Sequence, residues 1–275
     1  MPIQPILVLG ATGKTGARIA ARLDALGLPV RRGSRQAAIP FDWDRPETWP
    51  AALDGVSAVY ISYFPDIAVP GAVETVAAFV DQARAAGVSR LVLLTGRGEH
   101  HAQRAEEVVR HSGLPFTIVR AAWFAQNFSE GALHAPVMAG VLPMPGGAVR
   151  EPIVDADDIA DVAVAALTEP GHDGALYELT GPRLMTFADM AAELAAASGR
   201  PVTYLPISFD DFHDALRADQ GEMIAEVLTG IARETLDGRN AHLADGVQRA
   251  LGRPARDFTE FARAAARSGA WADAA

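Results

Sequence analysis

Through roughly the first two thirds of the chain, short apolar runs alternate with longer amphipathic stretches. The first run, Ile6-Leu7-Val8-Leu9, is continuous rather than alternating, as a strand covered on both faces of a parallel sheet requires. It leads into three glycines spaced three apart, Gly10, Gly13 and Gly16, and then into residues 17–23, which read as a helix. Residues 28–35, 39–44, 58–63, 90–95, 116–120 and 176–180 read as further strands. Helical stretches intervene at 46–53, 69–86 and 103–111, the second with Val73, Val76, Ala77 and Val80 on one face, and another opens at Asp155. Strands and helices at this interval predict βαβ units, hence an α/β fold of Rossmann type with a doubly wound parallel sheet.

The texture changes from about residue 131. Residues 141–147 read as a loop, Thr186 caps a helix over Phe187–Ser198, residues 202–205 form a short strand, and three further helices follow to about residue 266. The expected division is a Rossmann domain over residues 1–180 and a smaller, mostly helical lobe over 181–275 that closes over the carboxyl edge of the sheet. Residues 121–150 are expected to help form the pocket.

The glycine turn carries the first candidate chemistry. A turn that sets backbone N–H groups against a pyrophosphate has no room for Cβ atoms where the ligand approaches, and the next helix offers its N-terminal N–H groups to the phosphates. Gly10, Thr12, Gly13, Lys14, Thr15 and Gly16 are therefore candidate cofactor-binding residues. The spacing is not that of a P-loop despite Gly13-Lys14-Thr15, which argues against nucleoside triphosphate hydrolysis. About twenty residues on, an NAD site would carry a carboxylate for the ribose 2′-hydroxyl. The chain has Ser34 and Arg35 there, with Arg31 and Arg32 nearby, which suits a 2′-phosphate. NADP(H) is the expected cofactor, with NAD(H) as the alternative.

Composition narrows the partners. A net charge of −10 without clustered basic residues argues against a nucleic-acid surface. The chain has no cysteine, and its start, Met1-Pro2-Ile3-Gln4-Pro5, lacks a charged n-region and cleavage site. No apolar run reaches membrane-spanning length, so the expectation is a cytoplasmic protein, monomer or homodimer, acting on a small molecule. Lys14 is the only lysine among 24 basic residues, so a Tyr-x-x-x-Lys proton relay cannot exist. Candidate acid/base groups at the carboxyl edge are Tyr63, after the third core strand, and His100 and His101, at the start of a helix. Asp155, Asp157, Asp158 and Asp161 lack calcium-loop spacing and the remaining histidines are scattered, so no metal site is expected.

The chain resembles the NmrA-like atypical short-chain dehydrogenase/reductases, and within them the bacterial relatives of the ergot-alkaloid reductases. The likeness is carried by Gly10-Ala11-Thr12-Gly13-Lys14-Thr15-Gly16, Phe41-Asp42-Trp43-Asp44 with Thr48-Trp49, and Leu93-Leu94-Thr95-Gly96-Arg97-Gly98. It continues through residues 112–120 to Trp123-Phe124-Ala125-Gln126-Asn127-Phe128, then Val154-Asp155-Ala156-Asp157-Asp158-Ile159-Ala160 and Tyr177-Glu178-Leu179-Thr180-Gly181-Pro182. A cofactor along the carboxyl edge should set its nicotinamide beyond the strands ending at Tyr63, Thr95 and Arg120, with Thr95 and Gly96 as further candidate cofactor-binding residues; the resemblance implies an NADP-binding Rossmann domain with a small C-terminal lobe and a pocket wall of Trp123, Phe124 and Asn127, with Tyr63 as a further candidate pocket residue. Glu106 matches a family position that holds a turn or takes part in catalysis. The expected activity is NADPH-dependent hydride transfer to an electron-poor acceptor: an iminium or imine, a quinone, an azo compound or an enone. The alternative is an NADP-binding redox-sensing regulator without turnover; a sugar-nucleotide epimerase is disfavoured by the missing Tyr/Lys pair.

Overall fold

The computed structural model describes residues 3–272. The elements in order are β1 (Ile6–Leu9), α1 (Lys14–Ala25), β2 (Val30–Gly33), α2 (Trp49–Leu53), β3 (Ala58–Ile61), α3 (Ala72–Ala85) and β4 (Arg90–Gly96). They continue with α4 (His100–Arg110), β5 (Phe116–Ala121), α5 (Asn127–Glu130), α6 (His134–Met138), β6 (Val141–Met144), α7 (Ala156–Thr168) and β7 (Ala175–Leu179). The chain then forms α8 (Phe187–Ser198), β8 (Thr203–Pro206), α9 (Phe209–Gln220), α10 (Glu222–Thr235), α11 (Gly246–Leu251) and α12 (Phe258–Arg267).

Six strands form one parallel sheet in the order β2-β1-β3-β4-β5-β7. All residues of β1 and β3 are buried, because each strand is covered on both faces. One face packs against α1 and α7 around Val8, Ile19, Tyr60, Val119 and Ile159. The other packs against α2, α3 and α4 around Leu9, Phe41, Trp49, Ile61 and Phe79. The chain runs from β1 to one side, for β2, and crosses back to the other, for β3, so the strand order reverses at β1 and a crevice is expected outside the carboxyl ends of β1 and β3.

A third core joins the segment after β5 to the C-terminal part: Phe128, Leu142 and Met144 pack with Phe187, Met190, Phe212, Phe258 and Trp271. The Trp271 indole donates to the Phe128 carbonyl at 3.0 Å, fastening the last helix to this core. Thr186 and Asp189 form the reciprocal capping box at the start of α8.

Three local expectations are corrected. Residues 39–44 form no strand: Pro40 has no N–H to give, and the Asp42 carboxylate takes the Asp44 N–H in a turn, leaving β2 as the sheet edge. Val141–Met144 is a strand, not a loop, because Thr203–Pro206 lies parallel to it from sixty residues away. Among the described residues four helices follow β8 rather than three, since Gly221, at φ +86°, breaks α9 from α10. Among the described residues no helix is long and apolar enough to cross a membrane.

Candidate active site

At the carboxyl edge lies a cleft of about 730 Å³, within the usual size of a small-molecule or cofactor site. It runs from Gly10, Thr12, Gly13, Lys14 and Thr15 past Ser34 and Arg35 to Thr95, Gly96, Trp123 and two residues of α10, Leu228 and Ile231.

The three turn glycines have three different reasons to be glycine. Gly10 has φ +63°, which a side chain would strain. Gly16 is buried, and a Cβ there would overlap the Gly10 carbonyl; it does not line the cleft, so its role is to let α1 sit against the turn. Gly13 has an ordinary extended conformation, φ −86°, and a Cβ there would meet only the Gly10 oxygen, at 3.3 Å. The bare surface at Gly13 is thus available to a ligand. Helix α1 has no side-chain cap and no acid in its first turn, so its N-terminal N–H groups and positive dipole end face the cleft unanswered. An uncapped helix start behind a Cβ-free approach fits a dinucleotide pyrophosphate. The Lys14 amine lies against Gly131, and burial lowers its pKa despite the opposing pull of Glu130. Thr15 is held from below by the Tyr60 hydroxyl at 2.9 Å.

Beyond β2, the alternation of the strand separates the arginines. Arg31 donates to the carbonyls of Ala52 at 3.1 Å and Asp54 at 2.5 Å, closing the end of α2, and Arg32 pairs with Asp24. Only Arg35 lines the cleft, with Ser34 and Gln36. Its guanidinium lies 5.4 Å over the Phe64 ring and has no acidic partner among the described residues. Asp42, Trp43 and Asp44 form the adjoining wall, where Trp43 packs on Tyr63 at 4.8 Å between ring centroids.

The far end is assembled from four segments. Tyr63 and Asp66 follow β3; Thr95, Gly96, Arg97 and Glu99 come from the end of β4; Trp123, Phe124 and Asn127 follow β5; Leu228 and Ile231 come from α10. The Trp123 indole is oriented by Thr235 at 3.1 Å. Thr95 donates to Glu106 at 2.8 Å, and Glu106 also takes Arg120, at 2.8 and 2.5 Å, so this buried carboxylate holds the β4 end in place. His100 and His101 do not line the cleft. Helix α4 buries Ala102, Ala105, Glu106 and Val109, which turns its first residues away, and His100 is exposed with its backbone N–H on Glu234. Asp66, Arg97 and Glu99 were not anticipated; the only sign of them was an acid just past the Gly96-Arg97-Gly98 turn. Arg97 is buried and gives its Nε to Glu178 at 2.6 Å and one Nη to the Asn240 carbonyl at 2.7 Å.

The acids of α7 serve the fold. Asp155 caps the helix, while Asp157, Asp158 and Asp161 pair with Arg22, Arg253 and Arg256.

The profile of the NAD(P)H-binding family matches residues 10–170. The chain is 35% identical to an NAD(P)H azoreductase of Xenophilus azovorans, over 94% of this chain and 97% of that protein. It is 31% identical to a festuclavine dehydrogenase of Aspergillus fumigatus, over 94% and 98% respectively. The triphenylmethane reductase of Citrobacter sp., solved with NADP(H), superposes with a TM-score of 0.75 at 25% identity, over 95% of this chain and 99% of that one.

Proposed function

We propose that this chain, which belongs to the NAD(P)H-binding family and is an NAD(P)H-dependent oxidoreductase, takes NADPH by preference and reduces a small, electron-poor acceptor of the azo, quinone or iminium type. The observation that carries this is the cleft itself: a turn left bare at Gly13, with an arginine that has no acidic partner among the described residues, at one end, and an aromatic and aliphatic chamber at the other.

The backbone N–H groups of Thr12, Lys14 and Thr15 would hold the pyrophosphate, the Gly13 N–H being spent on the Gly10 carbonyl at 2.8 Å, and Arg35 with Ser34 would grip the 2′-phosphate through charge-assisted contacts. Thr95 and Gly96, which line the cleft, would border the nicotinamide, which when bound supplies the hydride. Trp123, Phe124, Leu228 and Ile231 exclude water and offer a flat apolar surface to the acceptor, while Tyr63 and Asn127 orient its polar edge. Three of the four tyrosines are engaged elsewhere: Tyr60 with Thr15, Tyr177 with His172, and Tyr204 with the carbonyls of Met144 and Gly147. Tyr63 is the one that lines the cleft, and the only lysine, Lys14, has Gly10 rather than a tyrosine four residues before it. Ketone reduction through a Tyr/Lys relay is therefore not open to this chain. An acceptor that is already cationic, or whose anion is delocalised, needs less help from a proton before the hydride arrives.

The roomy acceptor end and the reductase relatives favour turnover over a sensing role. NADPH oxidation with an azo dye, a quinone, an iminium and a simple ketone tests the proposal. Reduction of the first three, with the ketone at least about a hundredfold slower, is expected. A ketone reduced as fast as the others overturns the acceptor class, and NADPH binding with no oxidation by any of them favours the sensor.

A further inference from the structure

Glu99 is 6% exposed and stands at the head of α4 without capping it. Its carboxyl instead folds back over Gly96, where a Cβ would overlap it, and so occupies the hollow at the carboxyl end of β4. Its Oε2 is buried with no hydrogen-bond partner. The side chain lines the same cleft as Thr95, Gly96 and Trp123.

The groups that face it are negative. Asp66, on the segment after the neighbouring parallel strand β3, lines the cleft too and has one oxygen on the Ala68 N–H at 2.8 Å. Glu234 comes down from α10 and takes the N–H of His100. The nearby cations are directed to other acids: Arg97 gives Nε to Glu178 and one Nη to the Asn240 carbonyl, its other Nη being buried without a hydrogen-bond partner, and Arg239 pairs with Asp237 and lies 3.8 Å from Glu234. A carboxylate at this place would be desolvated, unpaired and beside two like charges, so the neutral acid is the stable form. Burial, then Asp66, then Glu234, hold its pKa well above the usual carboxylate range, and burial raises Asp66 as well.

Resting on the reductase reading above, we propose that Glu99 is the catalytic proton donor, delivering its carboxyl proton to the heteroatom of an acceptor that becomes anionic on taking the hydride. For a quinone, hydride addition brings two electrons and one proton and leaves a hydroquinone monoanion. The Glu99 O–H bond breaks, the product O–H bond forms, and the O–H electron pair remains on the Glu99 carboxylate. An azo acceptor takes the proton at its second nitrogen in the same way. Asp66, next to Glu99 and closer to solvent, returns a proton from water once product leaves. An iminium becomes a neutral amine on hydride addition and makes no demand on Glu99.

The test compares the two acceptor types in Glu99→Gln, which keeps the shape and polarity of the side chain and cannot give a proton. Its kcat on a quinone should fall by about a hundredfold, the usual worth of a general acid, and by at least about tenfold more than its kcat on an iminium. In the cofactor-free protein at neutral pH, infrared difference spectra between wild type and Glu99→Gln should contain the C=O stretch of one protonated carboxyl. Equal losses on both acceptors, no loss on either, or absence of that band overturns Glu99 as donor and leaves the reductase reading intact. A wild type that reduces neither acceptor overturns the reductase reading, and the donor's role with it, whatever the infrared band.

Discussion

At the Gly10 end of the cleft the walls are mostly backbone: a left-handed glycine, an extended glycine and the uncapped first turn of α1, all within seven consecutive residues. At the Trp123 end the walls are side chains from four separate segments, including two carboxyls that share no cation. The first end offers fixed N–H dipoles that do not titrate. The second depends on groups whose charge is set by what packs over them, so it is the pH-sensitive and exchangeable half. One fold can therefore keep its cofactor site constant while its acceptor site varies with the lobe that covers it.

The largest effect should come from filling the backbone end. Gly13→Val puts a branched side chain where the pyrophosphate approaches, and NADPH affinity should fall by at least about a thousandfold, or about 4 kcal/mol. The circular dichroism spectrum should be unchanged, because only the Gly10 oxygen lies near that Cβ, at 3.3 Å. Calorimetric titration decides it; near-normal affinity in a folded variant would mean that this end is held by side chains after all.

The next effect belongs to the other end, behind Arg97. Glu151 is fully buried and both its carboxylate oxygens lack partners. Burial pushes its pKa up to about 7 from 4.5, against the pull of Arg97 and with a push from Asp237. The folded state thus holds this proton more tightly than the unfolded chain does, and wild type loses stability as pH rises through that interval. Glu151→Gln cannot ionise, so its stability relative to wild type should rise by up to about 3 kcal/mol between pH about 4.5 and pH about 8. Urea denaturation at the two pH values measures this. A constant difference between the two proteins would show that Glu151 does not drive the pH response.

The smallest effect sharpens the backbone end through its one arginine, Arg35. Arg35→Ala should reduce the preference for NADPH over NADH by about tenfold, or about 1.4 kcal/mol, while NADH affinity stays the same. Titration of both cofactors checks this, and an unchanged ratio would remove Arg35 from the 2′-phosphate site.

How much was legible in the chain depended on how far each feature reached. Ile6–Leu9, the glycine turn and the Thr186 capping box follow from neighbours in sequence: an apolar run needs two covering layers, a left-handed turn needs glycine, and a cap needs an oxygen three residues from an N–H. Ser34 and Arg35 could be picked out for the same reason, although only the strand's alternation shows that Arg31 and Arg32 turn elsewhere. Tertiary structure decided the rest. Val141–Met144 is a strand because Thr203–Pro206 reaches it, and residues 39–44 are not, because no partner strand does. His100 lost its place in the site to the face of α4 that the core demanded, and Glu99 gained one when α10 and the β3 exit closed over it. A residue's type is written in the sequence, but its exposure and its proton are fixed by the dielectric and the charges around it, and those are brought together only by the fold.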